Sequence, residues 1–90
     1  MAILVKFDVT GMNAAKYDDI LRQLEAAGAG TPNGRLLHVS YGSRDNLQVI
    51  DLFESPEALE AFGRTLGPIL QKAGIAATPH VEPAYKMIRT

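Results

Sequence analysis

Along the first ten residues, Ile3, Val5, Phe7 and Val9 form a wholly apolar alternate set, while Leu4, Lys6 and Asp8 make up a mixed one. A period of two predicts a strand over residues 2–9, ended by Thr10-Gly11. The period then changes. Tyr17, Ile20, Leu21, Leu24 and Ala27 recur at spacings of three and four, the single apolar stripe of a helix. Asn13 suits its N-cap, because the side-chain oxygen can take a free N–H of the first turn. Met12 and Tyr17 stand where a hydrophobic staple forms, and Gly28 where a left-handed C-cap is wanted.

Residues 28–34, Gly-Ala-Gly-Thr-Pro-Asn-Gly, read as a loop. A glycine-rich phosphate cradle needs a strand before it and a helix after it, and here the order is reversed. Arg35–Tyr41 and Leu47–Phe53 predict a hairpin joined by the five residues 42–46. Placing Tyr41 opposite Leu47 puts Val39 opposite Val49 and Leu37 opposite Asp51. His38, Ser40 and Gln48 then share the other face. A slip of one residue would exchange these assignments.

Ser55-Pro56 is the favoured N-cap and N1 pair for a second helix, whose stripe is Leu59, Phe62 and Leu66. Gly67-Pro68 is expected to bend or break it, with Ile69 to Ala73 resuming and Gly74 closing it. Thr78-Pro79 leads into a last strand over residues 80–89, where Pro83 implies an edge or a bulge.

This strand–helix–strand–strand–helix–strand order specifies an α+β, ferredoxin-like βαββαβ fold, with a four-stranded antiparallel sheet and both helices on one face. Two helices cover only that face. Both alternating sets carry apolar residues, so the open face would be an exposed patch. A homodimer with the sheets facing each other is the economical answer.

Composition narrows the classes. The chain has 90 residues and 47% hydrophobic content, which predicts one domain over 1–90 with an ample core. A chain this short buries only about 60–65% of its unfolded surface, so it is marginal alone. Cysteine is absent, which excludes disulfides, thiolate metal sites and cysteine nucleophiles. A net charge of −1 gives no basic excess for nucleic acid or an anionic membrane. The apolar start breaks at Lys6, too soon for a signal peptide or a spanning helix, and the cytoplasm is the expected location.

His38-Val, Gly42, the run Leu47-Gln-Val-Ile-Asp-Leu-Phe-Glu-Ser-Pro-Glu-Ala-Leu-Glu-Ala-Phe62, Leu66-Gly-Pro-Ile-Leu and Ala73-Gly-Ile75 together resemble the small dimeric α/β-barrel proteins. That superfamily includes the antibiotic-biosynthesis-monooxygenase-like domains, and the resemblance covers nearly the whole chain. It implies pairing as a dimeric α/β barrel, with a small cavity beside each sheet. Some members oxidise polycyclic phenols without a cofactor; others degrade haem or act as isomerases or decarboxylases. The cofactor-free oxygenases and haem-degrading members tend to use tryptophan and asparagine in the pocket. This chain has no tryptophan, and Phe53 stands where many relatives carry one.

By analogy with that fold, His38 is the candidate catalytic residue, as general base or hydrogen-bond donor to a ligand. The alternative is a half-buried histidine bonded to one neighbour. Ser40, Gln48, Tyr41 and Tyr17 are candidate ligand-binding residues, though Tyr17 also fits its helix stripe as core. Asp51 interrupts an apolar alternation and needs a partner, for which Arg35 or a helix N-terminus could serve. It joins the ligand-binding candidates, with a structural ion pair the favoured reading. His80 reads as a surface or turn residue. His38, His80 and Asp51 match no metal-ligand spacing, and neither a metal nor a cofactor is expected.

Two functions follow. One is a cofactor-independent oxygenase- or isomerase-like enzyme, or a binder, acting on a small, partly apolar organic molecule. The other is a non-catalytic dimeric module, structural or regulatory. RNA-binding domains share the topology, but Leu47–Phe53 lacks their aromatic pattern and the charge is wrong, so no nucleic-acid partner is expected.

Overall fold

The computed structural model describes residues 1–89. The chain runs β1 (Ile3–Thr10), α1 (Ala14–Ala26), β2 (Arg35–Ser43), β3 (Asn46–Phe53), α2 (Pro56–Lys72) and β4 (Ala76–Pro83). The strands form one four-stranded sheet in the order β2-β3-β1-β4, with every neighbouring pair antiparallel. This is the ferredoxin-like α+β arrangement.

In β1 every odd residue is buried and every even one exposed. Ile3, Val5, Phe7 and Val9 meet Val49 and Phe53 of β3, Ile20 and Leu24 of α1 and Phe62 of α2. The rings of Phe53 and Phe62 pack at 5.9 Å between centroids, tilted by 38°. Such a core is stabilised chiefly by removing apolar surface from water, about 1.5–3 kcal/mol per large side chain.

Local chemistry sets the helix ends. Asn13 Oδ1 accepts the Lys16 N–H at 2.9 Å, and Ser55 Oγ accepts the Ala58 N–H at 3.2 Å. At the other end of α1, Gly28 takes φ +79°, and its N–H and that of Ala29 return to the carbonyls of Glu25 and Leu24. That is the Schellman closure. Gly74 and Ile75 repeat it on Gln71 and Leu70 at the end of α2.

Three expectations are corrected. The hairpin turn is Arg44-Asp45, two residues instead of five, so Gly42 pairs with Leu47, Ser40 with Val49 and His38 with Asp51. The register is shifted by one residue from Leu37 onward, and the β2 side chains from there to the turn change face, whereas Arg35 still pairs with Phe53 across a bulge. Gly42 permits the approach: its φ is +100°, and a Cβ there would lie 3.0 Å from the Asn46 carbonyl oxygen. Second, α2 runs unbroken through Gly67-Pro68. Pro68 and Arg64, whose carbonyl loses its partner, are both exposed, and an unbonded carbonyl costs less on a solvent face than in a core. Third, β4 starts at Ala76 instead of residue 80 and ends at Pro83. It pairs only with β1, so Pro79 and Pro83 sit on an edge strand, where a missing N–H removes no ladder bond.

The sheet face away from the helices carries Leu4, Leu37, Val39, Tyr41 and Ile50. Leu37 is 53% exposed and Val39 41%. Leu52 also points to that side but is buried, in a recess whose walls include residues 82–87 beyond and at the end of β4. Among the described residues, no helix is long and apolar enough to cross a membrane.

Candidate functional site

The shifted hairpin register places His38 directly opposite Asp51, both on the helix-facing side of the sheet. Asp51 is 2% exposed, and a carboxylate so buried needs a partner. His38 supplies it: Nδ1 lies 2.5 Å from Asp51 Oδ1. The expected partners of Asp51, Arg35 or a helix N-terminus, are not the ones it takes. Beyond the imidazole, His38 Nε2 lies 2.6 Å from the Tyr17 hydroxyl on α1. The two rings are almost parallel, 3° apart in plane, with centroids 6.0 Å apart.

Proton positions follow from the chain of partners. The carboxylate accepts only, so Nδ1 carries a hydrogen and donates to Asp51. In the neutral imidazole Nε2 is then the acceptor, and the Tyr17 O–H donates to it. The result is a continuous relay, Tyr17 to His38 to Asp51, drawn from α1, β2 and β3.

The relay forms part of the wall of a cavity of about 50 Å³ between the sheet and the helices. The other walls are mostly apolar, with Phe7, Val49, Ile20 and Phe62 among them, and Leu21, Leu66 and Leu70 half-buried at their edges. An apolar hollow with a few convergent polar groups is the usual form of a small-molecule site. Arg35 also lines it, a residue not among the sequence candidates.

The remaining candidates lie elsewhere. Ser40 shares the His38 side of β2 but is exposed and does not line the cavity. Tyr41 lies on the opposite, outer face. Gln48 is committed to the backbone: its Oε1 accepts the Val9 N–H and its Nε2 donates to the Val9 carbonyl, each at 2.9 Å. A five-residue loop would put Gln48 on the His38 face, and the two-residue turn moves it to the other; Tyr41 lies on the face opposite His38 in either register. His80 stands within β4 and bonds Asp8 at 2.7 Å on the exposed sheet face. No group of three or more described His, Cys, Asp or Glu side chains could hold a metal ion.

No protein-family model matches the chain, and neither does any curated protein. Solved structures do. SnoaB, a cofactor-independent oxygenase from Streptomyces nogalater, superposes with a TM-score of 0.61 at 17% identity, covering 99% of this chain and 96% of its own. A protein assigned as an antibiotic biosynthesis monooxygenase from Chloroflexus aurantiacus gives a TM-score of 0.64 at 18% identity, over 98% and 96% of the two chains. A protein of unknown function from Nitrosomonas europaea gives 0.56 at 14%, over 99% and 94%. At such identities the likeness is one of backbone architecture. The chain therefore has the fold of the antibiotic-biosynthesis-monooxygenase-like α/β proteins.

Proposed function

We propose that this protein binds a small, partly apolar molecule in the cavity under α1 and α2, and that His38 acts there as the base. The observation that supports this is the relay from Tyr17 through His38 to the buried Asp51, set in an otherwise apolar wall. Both imidazole nitrogens are occupied, so a ligand meets Tyr17 Oη first. That oxygen donates its hydrogen to His38 and keeps its lone pairs for a donor on the ligand. An acidic O–H or C–H of the ligand passes its proton to Tyr17 Oη as the tyrosine proton moves to His38 Nε2. The imidazolium so formed is held against the Asp51 carboxylate, and the ligand is left as an anion.

Formation of such an anion is the opening step of an isomerisation, and it suits the cofactor-independent oxygen chemistry of the structural neighbour SnoaB. The working unit is a homodimer joined through the outer sheet faces, which would cover Leu37, Val39 and Tyr41. The cavity volume supports a second reading. About 50 Å³ is far below the roughly 300 Å³ at which ligand pockets usually begin. Either Leu21, Leu66 and Leu70 swing aside to admit a ring, or the protein is a non-catalytic dimeric module.

The test compares 1-naphthol with its methyl ether by thermal shift. A ligand that binds only the native state raises the melting temperature by mass action. The naphthol should stabilise the wild-type protein and the ether should not, and His38→Gln should lose the difference. Equal responses to both compounds, or an unchanged response in His38→Gln, would refute the base. No response to either leaves the module reading.

A further inference from the structure

Arg35 and His38 are three residues apart in β2, and strict alternation would put them on opposite faces of the sheet. They are on the same face. A register shift between Arg35 and Leu37 leaves Leu36 as an extra residue, so Arg35 pairs with the inward Phe53 and His38 with the inward Asp51. A bulge of this kind re-aims a side chain, and bulges are over-represented beside active sites. Here it brings a guanidinium to the edge of the apolar cavity.

That guanidinium has little to hold. Its carbon lies 5.5 Å from the centre of the Phe62 ring. One nitrogen reaches the Gly30 carbonyl at 3.4 Å, the long limit of a hydrogen bond. The ion pairs among the described residues involve Arg22, His38, Arg64 and His80, and none includes Arg35. The nearby Asp51 is engaged by His38 Nδ1 and does not reach Arg35. Five N–H donors in a rigid fork, at the rim of an apolar hollow and without an acid partner, match a planar anion.

We infer that Arg35 anchors a carboxylate, so that the ligand of this pocket is a small apolar organic acid. The inference rests on the pocket reading above and adds the ligand's charge and the residue that reads it. The acid's apolar body lies against Phe62 and the leucines, and its carboxylate takes the fork of Arg35. A hydrogen-bonded charge pair at the edge of a low-dielectric cavity discriminates strongly, because a neutral isostere leaves the guanidinium's donors unmatched.

The probes are 4-methylbenzoate and 4-methylbenzamide, which share shape and differ in charge. Titration calorimetry on the wild-type protein should show the acid binding at least tenfold more tightly than the amide, with the difference shrinking as salt is raised. Arg35→Met should remove the preference, and Arg35→Lys should keep part of it by retaining the charge without the fork. The wild-type comparison needs no variant, so misfolding of Arg35→Met cannot mask the outcome. Equal binding of acid and amide, or a preference that survives in Arg35→Met, overturns the inference. So does failure of both to bind while 1-naphthol binds, which leaves the pocket reading intact. If neither benzoate, benzamide nor naphthol binds, both ideas fall together.

Discussion

Asp51 and His38 face each other across the β2–β3 ladder, with the carboxylate oxygen 2.5 Å from the ring nitrogen and the carboxylate 2% exposed. Each member satisfies the other, but they are not equivalent. Removing His38 strands a buried charge, whereas removing Asp51 strands only a neutral N–H. His38→Ala should therefore cost about 3–5 kcal/mol of unfolding free energy. Asp51→Ala should cost only about 1–3 kcal/mol. Urea unfolding of the two variants checks the order, and a smaller loss for His38→Ala would show that the carboxylate is not held as an ion.

Tyr17→Phe keeps the ring and deletes the hydroxyl that reaches His38 Nε2 at 2.6 Å. The expected cost is about 1 kcal/mol, with no change in the slope of the denaturation curve. The nitrogen chemical shifts of His38 should move while those of His80 stay in place. A His38 spectrum indifferent to the change would mean that the two groups are not bonded in solution.

The outer sheet face predicts association. Leu37, Val39 and Tyr41 lie side by side on the edge strand β2, with Ile50 next to them on β3. Sedimentation velocity should find dimers at micromolar concentration, and Val39→Glu should yield folded monomers, because a buried unpaired charge is costly. Monomeric wild-type protein at high concentration would remove the homodimer from the proposal.

The helix caps are separate and should behave so. Asn13→Ala and Ser55→Ala each delete one acceptor for a first-turn N–H and should each cost about 1 kcal/mol. The double variant should lose the sum, as expected for sites with no shared partners. A clear departure from additivity in equilibrium unfolding would reveal coupling between α1 and α2.

Much of this architecture can be read from residue spacing. The odd apolar positions of β1, the caps Asn13 and Ser55 and the closing glycines Gly28 and Gly74 each have a local physical cause, and local causes survive folding. Register is different. In a strand the side-chain period is two, so the length of one turn decides which set of β2 residues is buried. A loop over 42–46 sets His38 and Asp51 on opposite faces, and only the two-residue turn makes them a pair. Arg35 faces the Phe53 and Asp51 side in both registers, because the bulge at Leu36 cancels the shift there, and nothing in its spacing marks it as a cavity residue. Pro68 does not break α2, and its exposed position explains why: the cost of an orphaned carbonyl depends on its surroundings as well as on the proline.

Gln48 illustrates how one side chain can stand in for a length of backbone. The paired register of β1 and β3 ends at Phe7 and Val49, and the next bonds on that side of β1 are made by the Gln48 carboxamide to Val9. Its two bonds work like a hook and eye, closing a seam that the main chains leave open. Replacing it with leucine would unfasten that end of the sheet alone. Val9 would then trade its amide hydrogen with solvent while Val5, a few residues away, stayed locked.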